Sequence, residues 1–216
     1  MLSGARRQVA ALAFALALPV LIILAVAVRE GPTVLDAVDP IFVALRVGPL
    51  DTLLDGVDLA GSLPVWAFAI ALLTVMLART ERRLGVEVFV VAVGAEAAAT
   101  AIKALVGRAR PAGAELADLV VAAGFPSGHV TRTAVLVGIV IALAPWTSRR
   151  PGLAIALAIV AVALMGLARV SSGAHFTSDV VGACLLAAGS LAGWVWVSPA
   201  TVGRRLASGS SRMAGT

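Results

Sequence analysis

The sequence predicts an all-α polytopic membrane protein, a bundle of six transmembrane helices. Three observations predict it. The 216 residues are 60% hydrophobic and 13% charged, whereas soluble domains average about 45–50% apolar and about 25% charged. Six apolar runs reach roughly 17–25 residues, the length a helix needs to cross the hydrocarbon core. Arginine clusters fall in alternate connections between those runs, which is the orientation signal of a membrane protein. The mean hydropathy of +1.02 agrees. The net charge of +5 therefore marks topology rather than a nucleic-acid partner, and the partner implied is the lipid bilayer.

The first run covers about Val9 to Val28, after Arg6-Arg7. A signal peptide shares this pattern, ending in Ala25-Val26-Ala27, but its apolar stretch is usually about 7–15 residues. The segment Glu30 to Gly61 is not a span, because Asp, Gly and Pro recur in it. Leu35, Val38, Phe42 and Leu45 repeat at helical spacing, as do Leu50, Leu53, Leu54 and Val57. Short amphipathic helices at the outer interface fit that pattern. They serve either as a cover for the bundle or as the wall of a lipid entrance. The second run covers about Ser62 to Ala78. The third, Leu84 to Ala104, is interrupted by Glu96 and rich in small residues such as Gly94, Ala95 and Ala99, which allow close helix approach. The fourth runs from near Gly128 to Pro145-Trp146, the fifth from Gly152 to Ala168, and the sixth from Asp179 to Val197.

The length suits one domain, residues 1–198, followed by a polar tail, 199–216, of disordered composition. Cys184 is the single cysteine and forms no disulfide within one chain. The oligomeric state is left open. With six spans, Arg6-Arg7, then Arg79, Arg82 and Arg83, then Arg149-Arg150, then Arg204-Arg205 and Arg212 share one side. Positive-inside bias makes that side cytoplasmic. Asp36, Asp39, Asp51, Asp55 and Asp58 fall on the other. The use of Arg over Lys, with abundant Ala and Val, matches a GC-rich bacterial genome, so the expected location is a bacterial plasma membrane.

Three clusters lie at the ends of apolar runs on the outer side. The first is Lys103, the sole lysine, with Arg110-Pro111. If the third helix continues, the two cations lie two turns apart on one face. A plainer reading makes them snorkelling cations, a role that suits Arg108 better. The second is Pro126-Ser127-Gly128-His129. Ser127 suits an N-cap, and a helix N-terminus with a small Gly128 receives an anion readily. The alternative is a capped helix start with an interfacial histidine. The third is Arg169, His175 and Asp179. One helical turn brings Asp179 under the His175 imidazole, fixing its tautomer and leaving one nitrogen to act as nucleophile or base. Thr177 or Ser178 suits the cap of that helix. The alternative is a solvent-side loop with an incidental ion pair. Three cations around two histidines make a site for a phosphate group.

Taken together, the clusters resemble the type 2 phosphatidic acid phosphatase superfamily of membrane lipid phosphatases. That family's pattern is Lys, six residues, Arg-Pro; then Pro-Ser-Gly-His; then Ser-Arg, five residues, His, three residues, Asp. The match is Lys103 and Arg110-Pro111, Pro126 to His129, Arg169, His175 and Asp179, with Ala168 standing where the family usually has Ser. The resemblance implies that His175 attacks phosphorus, Asp179 orients it, and His129 protonates the leaving oxygen and then activates water. Lys103, Arg110, Arg169, Ser127 and the Gly128 N–H would bind the phosphoryl oxygens. The expected enzyme needs no metal and no cofactor. It acts on a lipid phosphate or diphosphate at the extracytoplasmic face: undecaprenyl-type diphosphate, as in cell-wall metabolism, phosphatidic acid, phosphatidylglycerophosphate or another polyprenyl phosphate. A transporter or channel lined by Glu96 and arginines is the competing class. Against it, the ionisable groups gather at one face and no inverted repeat is visible.

Overall fold

The computed structural model describes residues 2–111, 123–143 and 151–198, and among them all regular structure is helical. Helix α1 spans Leu2–Ala27. After a 3₁₀ turn over Val34–Val38 come two short helices, α2 (Asp39–Ala44) and α3 (Pro49–Ala60). Five longer helices follow: α4 (Leu63–Ala78), α5 (Arg82–Val106), α6 (Gly128–Leu143), α7 (Pro151–Ser171) and α8 (Thr177–Val197).

Each of the six apolar runs is helical, but by length and apolarity only α1, α5, α7 and α8 suffice alone to cross a membrane. The pair α3 and α4, bent by 52° at the break between them, passes the same test together. Helix α6 is shorter and carries Arg132 in its first turns. The expected end of the fourth run at Pro145-Trp146, the arginines beyond α6 and α8, and the tail 199–216 lie outside the described residues.

Helix α8 is central. It packs against α1, α5 and α6, while α4 lies on α5 and α7 on α6. The outer helices turn Leu12, Leu16, Ile23, Phe68, Leu72, Met76, Phe89, Leu157 and Ile159 outward. Apolar surface on that scale belongs against lipid rather than water. Inside, Trp66, Leu84, Val88, Val135, Ile139, Ala187 and Trp194 form the largest core, between α4, α5, α6 and α8. Ala92, Ala95 and Ala99 make the buried face of α5, as its small-residue composition predicts.

Two charged side chains within the bundle find each other. Arg132 grips Glu96 through both forks, Nη2 to Oε1 at 2.7 Å and Nε to Oε2 at 3.1 Å. Its Nη1 donates to the Gly61 carbonyl at 3.3 Å, tying α5 and α6 to the bend before α4. The segment 30–61 is helical as expected, but its buried residues are not the apolar stripe alone. Asp36 is buried along with Leu54, whereas Leu35, Val38, Leu45 and Leu53 are exposed. The reason is that Asp36 has polar work to do at the end of α8.

Candidate functional site

The third cluster is built by a reversal between α7 and α8. Gly173 takes a φ of 68°, where a Cβ is costly. The turn lets the His175 N–H donate to the Arg169 carbonyl at 3.1 Å. Phe176 is the N-cap of α8, and Asp179 Oδ2 accepts its N–H at 3.0 Å. The same oxygen lies 3.4 Å from His175 Nδ1. The expectation that Thr177 or Ser178 caps α8 is overturned. Both are already helical, and their own N–H groups donate to Asp39 Oδ1 (3.1 Å) and Asp36 Oδ1 (2.9 Å). Their hydroxyls donate to the same two oxygens, at 2.5 and 2.6 Å. Three carboxylates thus satisfy the orphan donors of this helix start.

His175 and Asp179 are both fully enclosed. Burial pushes the imidazole down to about 4, against the upward pull of Asp179. The ring is therefore neutral near pH 7. With Nδ1 turned to Asp179, Nε2 is the nitrogen left for chemistry.

The second cluster is pinned to the same helix. Phe125 packs so closely on α8 that a Cβ at Gly182 would stand 2.3 Å from its Cε2. The Ser127 N–H donates to the Asp179 carbonyl at 3.1 Å. Ser127 stands just ahead of α6, but its Oγ makes no capping bond. It is fully buried and has no hydrogen-bond partner among the described residues. An unsatisfied buried hydroxyl costs about 1–3 kcal/mol, which a ligand oxygen would relieve. Next to it, Gly128 and His129 open α6. His129 Nε2 lies 3.9 Å from Asp58 Oδ1.

The first cluster corrects a geometric expectation. Helix α5 ends at Val106, where Gly107 adopts the left-handed conformation at φ 64° and its N–H returns to the Lys103 carbonyl at 2.9 Å. Lys103 and Arg110 do not share a helix face, and the stop comes before Pro111. The turn still brings the two cations into each other's field. Lys103 Nζ donates to the Ala123 carbonyl at 2.9 Å, and Arg110 Nη1 to the Ala174 carbonyl, next to His175, at 3.3 Å. Arg169 Nη1 donates to Asp58 Oδ1 at 2.6 Å. Arg169 and Lys103 both act electrostatically on His175. Lys103, Arg110, Ser127, Gly128, His129, Arg169, His175 and Asp179 therefore gather in one region, around the starts of α6 and α8.

Several residues of this region were not singled out from the sequence. Arg108 was expected to snorkel; instead it is buried, and donates to Asp36 (2.9 Å), Ser178 (2.6 Å) and Asp179 (2.5 Å). Its guanidinium also stacks over Phe176, 4.1 Å from the ring centroid. The sequence marks Asp36, Asp39 and Asp58 only as outer-side acids. The excess of aspartates opposite three outer clusters rich in cations was the available signal.

A sequence model of the PAP2 superfamily matches residues 84–202, more than half of the chain. No curated protein gives a significant match. Among solved structures, the crystal structure of the first transmembrane PAP2 type phosphatidylglycerolphosphate phosphatase from Bacillus subtilis is similar in fold, with a TM-score of 0.67. The likeness covers 89% of this chain and 96% of that one at 21% identity. Four helices long and apolar enough to cross a membrane, together with the apolar exterior, make this a multi-pass membrane protein. The matched segment takes in α5 through α8 and every residue of the three clusters, so the chain belongs to the PAP2 superfamily.

Proposed function

We propose that the protein is an integral membrane phosphatase that hydrolyses a lipid phosphate or diphosphate at the outer face of a bacterial plasma membrane, through a phosphohistidine on His175. The observation that carries this reading is the enclosed His175–Asp179 pair set among Lys103, Arg110 and Arg169, beside the unpartnered Ser127 hydroxyl.

The placement supports the following chemistry. The lone pair of His175 Nε2 forms the N–P bond as the bond from phosphorus to the lipid oxygen breaks. His129 supplies the proton that the departing oxygen takes up. Asp179 stabilises the positive charge that grows on the ring. In the second step His129 accepts a proton from water as the water oxygen attacks phosphorus, and the P–N electrons return to His175. Lys103, Arg110, Arg169, Ser127 and the Gly128 N–H would hold the phosphoryl oxygens throughout, the kind of fixed electrostatic stabilisation that carries phosphoryl transfer.

No step needs a metal. Among the described residues no group of three or more His, Cys, Asp or Glu is arranged to hold one. The candidate substrates are undecaprenyl-type diphosphate, phosphatidic acid, phosphatidylglycerophosphate and other polyprenyl phosphates. The fold neighbour's own activity keeps phosphatidylglycerophosphate among them. The transporter reading loses its main support, because Glu96 is held by Arg132.

The test is phosphate release from this panel by the purified protein in detergent, with chelator present. The expected result is release from at least one lipid, blocked by vanadate, which takes the five-coordinate geometry of the transfer. Activity abolished by chelator and restored by Mg²⁺ would reject the mechanism.

A further inference from the structure

Arg108 and Asp36 stand outside the set assigned to phosphate binding, yet they are among the most enclosed charges in the protein. Their side chains are 4% and 3% exposed. Resting on the reading of His175 as nucleophile, we propose that Arg108 and Asp36 are positioning residues that clamp Asp179, holding its carboxylate turned to His175 and ionised through the reaction.

Each bond in the chain of contacts bears on this. Asp179 divides its two oxygens. Oδ2 accepts from the Phe176 N–H and faces His175 Nδ1, while Oδ1 accepts from Arg108 Nη1 at 2.5 Å. The carboxylate cannot rotate without breaking both sides. Arg108 is itself held by Asp36 Oδ2 through Nη2, by Ser178 Oγ through Nη1, and by the Phe176 ring. Asp36 is fixed in turn by the Ser178 N–H and hydroxyl and by Thr33. Burial pushes the Asp36 carboxyl up, but its hydrogen bonds from Ser178, Thr33 and Arg108 outweigh this and hold it below the usual carboxylate range.

The charges also balance. Asp36, Arg108 and Asp179 sum to one negative charge, the counter-ion His175 needs once it carries phosphorus. Asp39 and Lys103 act on Asp179 as well, and Gly124 lies between Asp179 Oδ2 and the Arg110 side-chain stem. Without the guanidinium, Asp36 and Asp179 would face one buried space as two carboxylates, and their repulsion would favour protonation of one of them. Anchoring the 34–44 segment on α8 does not by itself require Arg108, since Asp36 and Asp39 already bond Ser178 and Thr177. The added reach of Arg108 to Asp179 is what joins that anchor to the reacting pair.

The test compares wild type with Arg108→Met, Arg108→Lys, Asp36→Asn and the double variant Arg108→Met/Asp36→Asn, as purified full-length protein with thermal melting checked first. The readout is the rate of phosphohistidine formation with an aryl phosphate against pH, together with KM. Arg108→Met is expected to lose about 10²-fold in rate, the scale of a small misplacement at a reacting centre, with KM little changed. Its acid limb should move to higher pH, because a carboxylate without its cation takes up a proton sooner. The double variant removes the second carboxyl charge, and should return that limb towards wild type and recover part of the rate. If Arg108→Met does not fold, Arg108→Lys carries the test. A single ammonium cannot bridge two carboxylates as the fork does, so a smaller loss with the same direction of limb shift is expected. A folded Arg108 variant with wild-type rate and limb, or a double variant no better than the single, overturns the proposal. Wild type without any phosphohistidine rejects the reading of His175 and this proposal with it, whereas a labelled wild type beside unaffected variants rejects the clamp alone.

Discussion

Burial holds His175 at about 4, below its usual 6.5, with Asp179 pulling the other way. A folded value below the unfolded one means that the neutral ring contributes stability above pH 6.5, and that this contribution is lost as pH falls towards 4. The nucleophile should accordingly stay deprotonated in mildly acidic solution. Nitrogen-15 NMR of histidine-labelled protein should show the His175 ring as neutral imidazole at pH 5.5; a transition to imidazolium centred at 6.5 would contradict it. The residues proposed to react were legible because identity and spacing mark them: Lys103 before Arg110-Pro111, Ser127 to His129, and Asp179 one turn after His175. Arg108 was not legible. Its neighbours Asp36 and Asp179 stand 72 and 71 residues away in the chain, and whether a cation snorkels or is buried depends on whether such partners meet it.

At the scale of elements, run length located the long apolar helices and periodicity the short ones of the 30–61 segment, while their ends depended on turn chemistry. The Lys103-to-Arg110 spacing suggested a continuous helix, but Gly107 ends it, as a glycine after the last apolar turn often does. Thr177 and Ser178 carry good capping side chains, yet α8 starts one residue earlier because carboxylates from distant segments take its N–H groups. A carboxylate at membrane depth needs a partner, and Arg132 pairs with Glu96. Removing one member of a fully buried pair costs about 3–5 kcal/mol; Glu96 is 21% exposed, so Glu96→Leu should cost less than that. Glu96→Gln keeps an acceptor for Arg132 and should retain more stability and more phosphatase activity. Thermal melting in detergent with parallel assays measures both, and equal values for the two variants would contradict a holding role for the pair.

For the whole molecule, the charge asymmetry supports the proposed orientation, with the site outward. In a Cys184→Ser background, Val34→Cys should react with an impermeant maleimide on intact cells, and Arg79→Cys only after permeabilisation. Labelling of the Arg79 variant from outside would reverse the topology. The fold class was legible at this scale because composition and run length report the solvent, here lipid, that surrounds the chain. The span count was less so: α6 is short, and α4 joins α3 at a bend that sequence alone does not reveal. What joins these scales is the claim that the bundle exists to enclose one nucleophilic histidine beside a phosphate site. Rapid quench with a radiolabelled aryl phosphate, followed by analysis for acid-labile phosphate, tests it most directly. The expected result is labelled His175 in wild type, no label in His175→Ala, and label that accumulates without turning over in His129→Ala, where the aryl leaving group needs little protonation but water is no longer activated. A labelled intermediate in His175→Ala, or none in wild type, would contradict it.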